Sequence, residues 1–170
     1  ALSPCLSDRI RTRDGKIDLA PQILVDDVTR VKTWLLQAPK QGLLLIGRRQ
    51  LRTNNSWMHN CPSLVKGPDR SHLIVHPADA ERLSLRDGHK VKVTSRVGQV
   101  EVTLSVSDEV MPGVVSLPHG FGHQQAAATL RVAGALPGQN ANELTDDHLI
   151  DPLSGTAALS GVPVEVTPIP

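Results

Sequence analysis

The chain has 170 residues, 18 of them basic and 17 acidic. That near balance gives no bulk electrostatic case for nucleic acid or a membrane surface as partner, and no apolar run approaches the ~18–20 residues of a membrane span. The only aromatic residues are Trp34, Trp57 and Phe121, so the core must be aliphatic and stacking platforms for single-stranded nucleic acid are nearly absent.

Residues 1–22 are polar and punctuated by proline, and we expect an extended arm with a turn at Arg13-Asp14-Gly15. The opening stretch is rich in arginine and lacks the apolar segment of a signal peptide. With no initiator methionine, the chain is expected to be processed or cut from a longer one. Cys5 and Cys61 form no CxxC pair, which argues against a cysteine zinc site or a disulfide framework. Residues 26–37, "DDVTRVKTWLLQ", place Val28, Val31 and Leu35 on one helical face, with Asp26 as N-cap and Pro39 and Gly42 as terminators. Residues 1–39 are therefore an arm and a connecting helix, and residues 40–170 a separate β-rich domain.

"GLLLIGR" reads as a strand buried on both faces. The segment that follows is locally basic: between Lys40 and Arg70 stand six basic residues and one acid, Asp69. "SHLIVHP" is a strand, "PADAERLSL" a short helix with Pro77 in its first turn, and Asp87-Gly88 a turn. "KVKVTSRVGQVEVTLSVS" alternates apolar and polar residues about Gly98, as a hairpin does. "VVSLPHG" and "GVPVEVTPI" are further strands, and residues 138–161 read as loop with a short helix. Short strands at this spacing favour a closed barrel over a sandwich.

"SLPHGFGH", residues 116–123, carries His119 and His123 four apart. Two histidines at that spacing hold a metal when a helix presents both on one face. Gly120 and Gly122 between them argue against the helix and for a loop in positive φ, whose backbone comes close to a ligand. No metal ligand is expected here.

Four stretches, "LIGRRQLRTNNSWMHN", "HPADAERLSLRDGHKVKVTSRVGQVEV", "DEVMPGVVSLPHGFGH" and "NANELTDDHLIDPLSGTAALSGVPVEV", resemble in order and spacing the C-terminal dinucleotide-binding domain of molybdopterin oxidoreductases. That superfamily includes formate dehydrogenases, nitrate reductases and dimethyl sulfoxide reductases. The resemblance covers about residues 40–168. It implies a mainly β fold, a double-psi β-barrel of the kind seen in aspartate decarboxylase. It also implies that the domain caps one molybdopterin guanine dinucleotide. Molybdenum or tungsten, its protein ligand and any iron–sulfur cluster would belong to preceding domains of a full-length oxidoreductase, which would be the partners of this domain. This stretch alone would be inactive, and a cytoplasmic location is expected.

The resemblance, with side-chain chemistry, nominates cofactor-binding residues and no catalytic ones. Arg48, Arg49 and Arg52, beside Gly47, offer planar forks suited to a pyrophosphate; the alternative is a solvated basic turn. Asn54 and Asn55 supply donors and acceptors for a pterin or guanine edge, although Asn-Asn is also ordinary turn chemistry. Trp57 is a wall or core residue, and His59 a hydrogen-bonding partner. His119, Gly120, Phe121 and Gly122 form the backbone approach. Asn142, beside Glu143, falls where the family places an asparagine against the cofactor; otherwise it caps a short helix.

Other readings differ in class. Self-cleavage of the aspartate decarboxylase type needs Gly-Ser, a dipeptide this chain lacks. A metal-dependent hydrolase lacks its helical HxxxH setting. A non-catalytic interaction or substrate-recognition barrel leaves the arginine and asparagine cluster unexplained.

Overall fold

The computed structural model describes residues 3–37, 42–124 and 129–169. The chain divides into two compact units, Ala1–Pro39 and Lys40–Pro170. The first holds a single helical turn, α1 (Leu6–Arg9), within the expected arm, and a longer helix, α2 (Gln22–Gln37). Gly15 closes the expected turn at φ +65°, its N–H donating to the Thr12 carbonyl. Helix α2 starts earlier than the sequence suggests. Pro21 stands at its entrance, and its carbonyl accepts from Leu24 and Val25. Asp26 is therefore inside the helix, accepting from Gln22 Nε2 at 2.7 Å, and does not cap it. Pro39, expected to help end this helix, lies outside the described residues.

The second unit is a closed six-stranded barrel. Its strands are β1 (Leu43–Arg48), β2 (Leu73–Val75), β3 (Lys90–Thr94), β4 (Gln99–Val106), β5 (Val114–Pro118) and β6 (Val162–Pro168). Around the barrel the order is β1-β5-β2-β4-β3-β6. β1 runs parallel to β5 and β2 parallel to β4, while the other neighbours are antiparallel. β5 thus inserts between β1 and β2, and β2 inserts between β4 and β5. Each of the two long crossovers steps over a strand belonging to the other, and this interlock makes the fold a double-psi β-barrel.

Alternation decides the interior. Val91 and Val93, Val100, Val102 and Leu104, and Val162, Val164 and Val166 all point inward beside Leu73, Val75, Val115 and Leu117, each at most 5% exposed. The core is aliphatic, as the scarcity of aromatics requires. β1 departs from the expectation of burial on both faces: Leu43 and Leu45 are buried, whereas Leu44 is 40% exposed. A barrel wall has one core face, so even a continuous apolar run alternates in burial. The hairpin falls where expected, with Ser95 N–H bonded to the Gly98 carbonyl at 2.8 Å. Two short helices, α3 (Pro62–Val65) and α4 (Pro77–Arg82), follow β1 and β2, the latter beginning at Pro77 as expected. Gly88 turns at φ +74°. A further short helix, α5 (Arg131–Ala135), and a 3-10 turn, Ala141–Leu144, lie in the connection before β6.

Arg48, the last residue of β1, ties three segments together. Its Nη1 donates to the Ser116 carbonyl and its Nη2 to the His72 carbonyl, both at 2.9 Å. Burial pushes this guanidinium below its ordinary value, and Glu109 partly offsets the effect. Charge-assisted hydrogen bonds of this kind contribute about 1.5–3 kcal/mol. We expect Arg48→Ala to destabilise the barrel by that order, measured as a lowered urea midpoint with an unchanged slope.

Candidate functional site

The parallel pairing of β1 with β5 places two strand ends side by side, with Arg48 opposite Pro118. The ladder continues one step further, the His119 N–H donating to the Arg48 carbonyl at 3.1 Å. The loops that leave these ends, residues 49–60 and 119–124, therefore emerge on the same side of the barrel.

Their contact is close. Gly120 and Gly122 have φ +96° and +109°, the left-handed conformation the sequence demanded. What crowds them is the chain itself. A Cβ on Gly120 would overlap the Asn55 carbonyl, with its carbon 2.6 Å away, and one on Gly122 would lie 2.5 Å from Asn140 Cβ. On the side a Cβ would occupy, the close approach at these glycines is thus loop against loop. Asn54 and Asn55 also hold positive φ, 42° and 62°, which asparagine tolerates better than most residues.

Side chains reinforce the junction. Arg49 Nη1 donates to Asn55 Oδ1. His119 Nε2 stands 2.9 Å from the same oxygen and 3.2 Å from Arg49 Nη1. With its proton on Nε2, His119 donates to Asn55, so one amide oxygen joins both loops. Beneath this surface His59, 3% exposed, meets His123 Nε2 through Nδ1 at 2.6 Å and lies against Phe121 with ring centroids 4.4 Å apart. His59 Nε2 is buried without a partner among the described residues. Asn60 Oδ1 accepts from the N–H groups of Val132 and Ala133, anchoring the first loop to α5.

Among the described residues, two larger clefts open at this end beside a small one lined by Arg52, His59 and Phe121. The first, about 160 Å³, is the barrel mouth, with Leu45 and Leu117 at its base and Arg49, His119, Asn142 and Thr145 around it. Gly47 lies in its wall, and a Cβ there would meet nothing within 4 Å, so the missing side chain leaves the mouth open. The second, about 590 Å³, is lined by Arg49, Arg52, Asn54, Asn55 and Met58. Arg49 belongs to both. The side chains of Arg52, Asn54 and Asn142 have no protein partner among the described residues and are exposed.

The structure brings Gly47, Arg48, Arg49, Arg52, Asn54, Asn55, His119 and Asn142 to these clefts. Arg48 reaches the first with its fork engaged inside the barrel wall. His59, Phe121 and Gly122 support the loops from within. Trp57 is 81% exposed and lines neither cleft, and Glu143 is exposed outside both. Asn142 does not cap the 3-10 turn; Asn140 does, its side chain accepting from Asn142 N–H at 3.1 Å. Thr145 and Ser160 at the first cleft carried no sequence signal, being hydroxyls in irregular segments. Among the described residues no three His, Cys, Asp or Glu side chains converge as a metal site.

Residues 43–163 match the family described as "Molydopterin dinucleotide binding domain". The chain belongs to that family. It is 30% identical over 111 residues to a tetrathionate reductase polypeptide of Salmonella typhimurium, covering 55% of this chain and 11% of that one. Against the alpha polypeptide of F420-dependent formate dehydrogenase 2 of Methanococcus maripaludis the identity is 29%, over 75% of this chain and 17% of the relative. The structure of acetylene hydratase from Pelobacter acetylenicus shares the fold, with a TM-score of 0.68 at 16% identity over 93% of this chain and 24% of that one. The dinucleotide-binding domain thus spans less than a quarter of each of these relatives, which are larger proteins. Among the described residues no helix is long and apolar enough to cross a membrane.

Two measurements probe the junction between the loops of this domain. Burial, and secondarily the nearby His123, push His59 below the ordinary histidine value. The unfolded chain takes up a proton at about pH 6.5, whereas the folded domain resists it to lower pH. Stability is therefore full above that point and falls on acidification towards the lowered folded value. Urea midpoints between pH 8 and 5 should decline on the acid side, with a smaller decline in His59→Gln. Gly120→Ala adds both backbone strain and overlap with Asn55, and we expect a loss of at least about 2 kcal/mol, read from the same midpoints at pH 8.

Proposed function

We propose that this domain works as the dinucleotide-holding part of a larger molybdenum or tungsten oxidoreductase, and that its ligand is a molybdopterin guanine dinucleotide lying across both clefts. The observation that carries this reading is Arg49 standing at the border the clefts share. A pyrophosphate is the middle of such a dinucleotide, and a guanidinium between two clefts suits it. Arg52, with no protein partner among the described residues, supplies a second cation to the larger cleft. Asn142 offers an uncommitted amide at the barrel mouth, and Asn54 another in the second cleft; each can both donate to and accept from a heterocycle edge. The open mouth at Gly47 gives a flat ring access to the backbone. Arg48 acts behind them, holding β1, β5 and the segment before β2 in place. When bound, the cofactor supplies the redox chemistry; these residues bind and orient it.

A non-catalytic interaction barrel gains nothing from uncommitted arginine and amide groups aimed at two concave sites. Substrate and remaining partners would be determined by the other domains of the full protein, in keeping with the small share of each relative that this chain matches.

The test is cofactor retention in the full-length protein. Arg52→Ala and Asn142→Ala should each lower the cofactor bound after gel filtration, with a dissociation constant raised about tenfold and the urea midpoint unchanged. Full loading in both variants would show that the clefts are not the dinucleotide site.

A further inference from the structure

The turn of the β3–β4 hairpin lines neither cleft, yet it grips the segment that carries Asn142. Arg96 in that turn makes a two-pronged pair with Asp146: Nη2 donates to Oδ1 at 2.6 Å and Nε donates to Oδ2. Asp146 is 7% exposed and also accepts from the His148 N–H at 2.8 Å. Asp147, 3.8 Å from Arg96 Nη2, is 86% exposed and contributes a weaker attraction. Two residues on, Gly98 lies under the same segment, and a Cβ there would overlap the Glu143 carbonyl.

Between these contacts runs the 3-10 turn Ala141–Leu144. Leu144 is fully buried in the core, and Thr145 Oγ1 donates to the Asn142 carbonyl at 2.9 Å. Only four residues of this stretch have regular structure, too few for a helix to hold itself. Among the contacts that set its position relative to the barrel mouth are the buried leucine, the Arg96–Asp146 pair and the contact at Gly98. Leu144 and Ala141 hold the turn to the core and Asn140 lies against Gly122; the paired guanidinium and carboxylate fix its far end.

We infer that Arg96 and Gly98 are positioning residues for the dinucleotide, holding Asn142 and Thr145 at the barrel mouth before the ligand arrives. This rests on the reading of the clefts as the dinucleotide site. A preset amide spares the ligand the ordering it would otherwise have to impose. Without the clamp, the segment samples other orientations and the ligand selects one of them at a loss of affinity.

The experiment is a double-mutant cycle on the cofactor-loaded full-length protein, with release of the cofactor followed over time after dilution. Arg96→Ala should speed release about five- to tenfold. Combined with Asn142→Ala it should add little beyond Asn142→Ala alone, because a misplaced amide and a missing one are the same loss. Arg96→Lys keeps the charge without the fork and should fall between wild type and Arg96→Ala. Gly98→Ala, tested in the same way, guards against a poorly folded Arg96 variant, and its release should also be non-additive with Asn142→Ala. Unchanged release in Arg96→Ala, or effects that simply multiply in the double variants, would overturn the inference and make the pair a stabiliser of the loop alone. Unchanged release in Asn142→Ala would instead remove the cleft reading itself, and this inference with it.

Discussion

The parallel pairing of β1 with β5 is the constraint from which the site follows. Those strands are far apart in sequence, and neither of the loops leaving them has much regular structure of its own. Register alone sets Arg48 beside Pro118, and one further hydrogen bond, from His119 N–H to the Arg48 carbonyl, commits the second loop to the first. Once the strand ends are adjacent, Gly120 must pass under Asn55, and only a residue without Cβ can do so. The two larger clefts are lined by residues of these strand ends and of the loops that leave them.

The same geometry divides the work of three nearby arginines. Arg48 is still in the strand, on the outer face with Ile46, and its fork finds the Ser116 and His72 carbonyls within the barrel wall. One residue later the chain has left the sheet. Arg49 reaches across to Asn55 and His119 at the surface. Arg52, after a turn, meets no acceptor among the described residues. A charged group's job is thus decided by where the strand ends: before that point its hydrogen bonds stabilise the barrel, and beyond it they are available to an anion.

Much of this architecture was legible in the sequence because it depends on local rules. Alternating valines on either side of Gly98 specify a hairpin, Asp87-Gly88 a turn, Pro77 a helix start, and the sparse aromatics an aliphatic interior. The resemblance of four ordered stretches then supplied the fold that closes them. What local rules missed has a common cause. "GLLLIGR" shows no alternation although its burial alternates, since a barrel wall accepts leucine on its outer face too. Pro21 rather than Asp26 stands at the start of α2, where its fixed φ suits a helix and its missing N–H costs nothing. The glycines of "PHGFGH" were rightly read as positive-φ positions, but what they face is set by tertiary structure. Arg96 and Asp146 are fifty residues apart, and no spacing in the sequence connects them.

The candidate site combines two kinds of polar group, and under the proposed reading the contrast bears on how a ligand would be held. Asn55, His119, Arg48, Asn140 and Asp146 each make side-chain hydrogen bonds within the protein. Arg52, Asn54 and Asn142 have no such partner among the described residues. The bonded groups fix backbone positions, and the His59–His123 contact packed against Phe121 supports the junction of the loops from below. The unfilled groups stand on that fixed backbone facing solvent. Exchanging water for a ligand's phosphate or heterocycle at those groups breaks no protein hydrogen bond and requires little of the main chain to move. On the proposed reading, affinity would depend on how well the supporting bonds aim the free groups, so that a residue that never touches the ligand would matter as much as one that does.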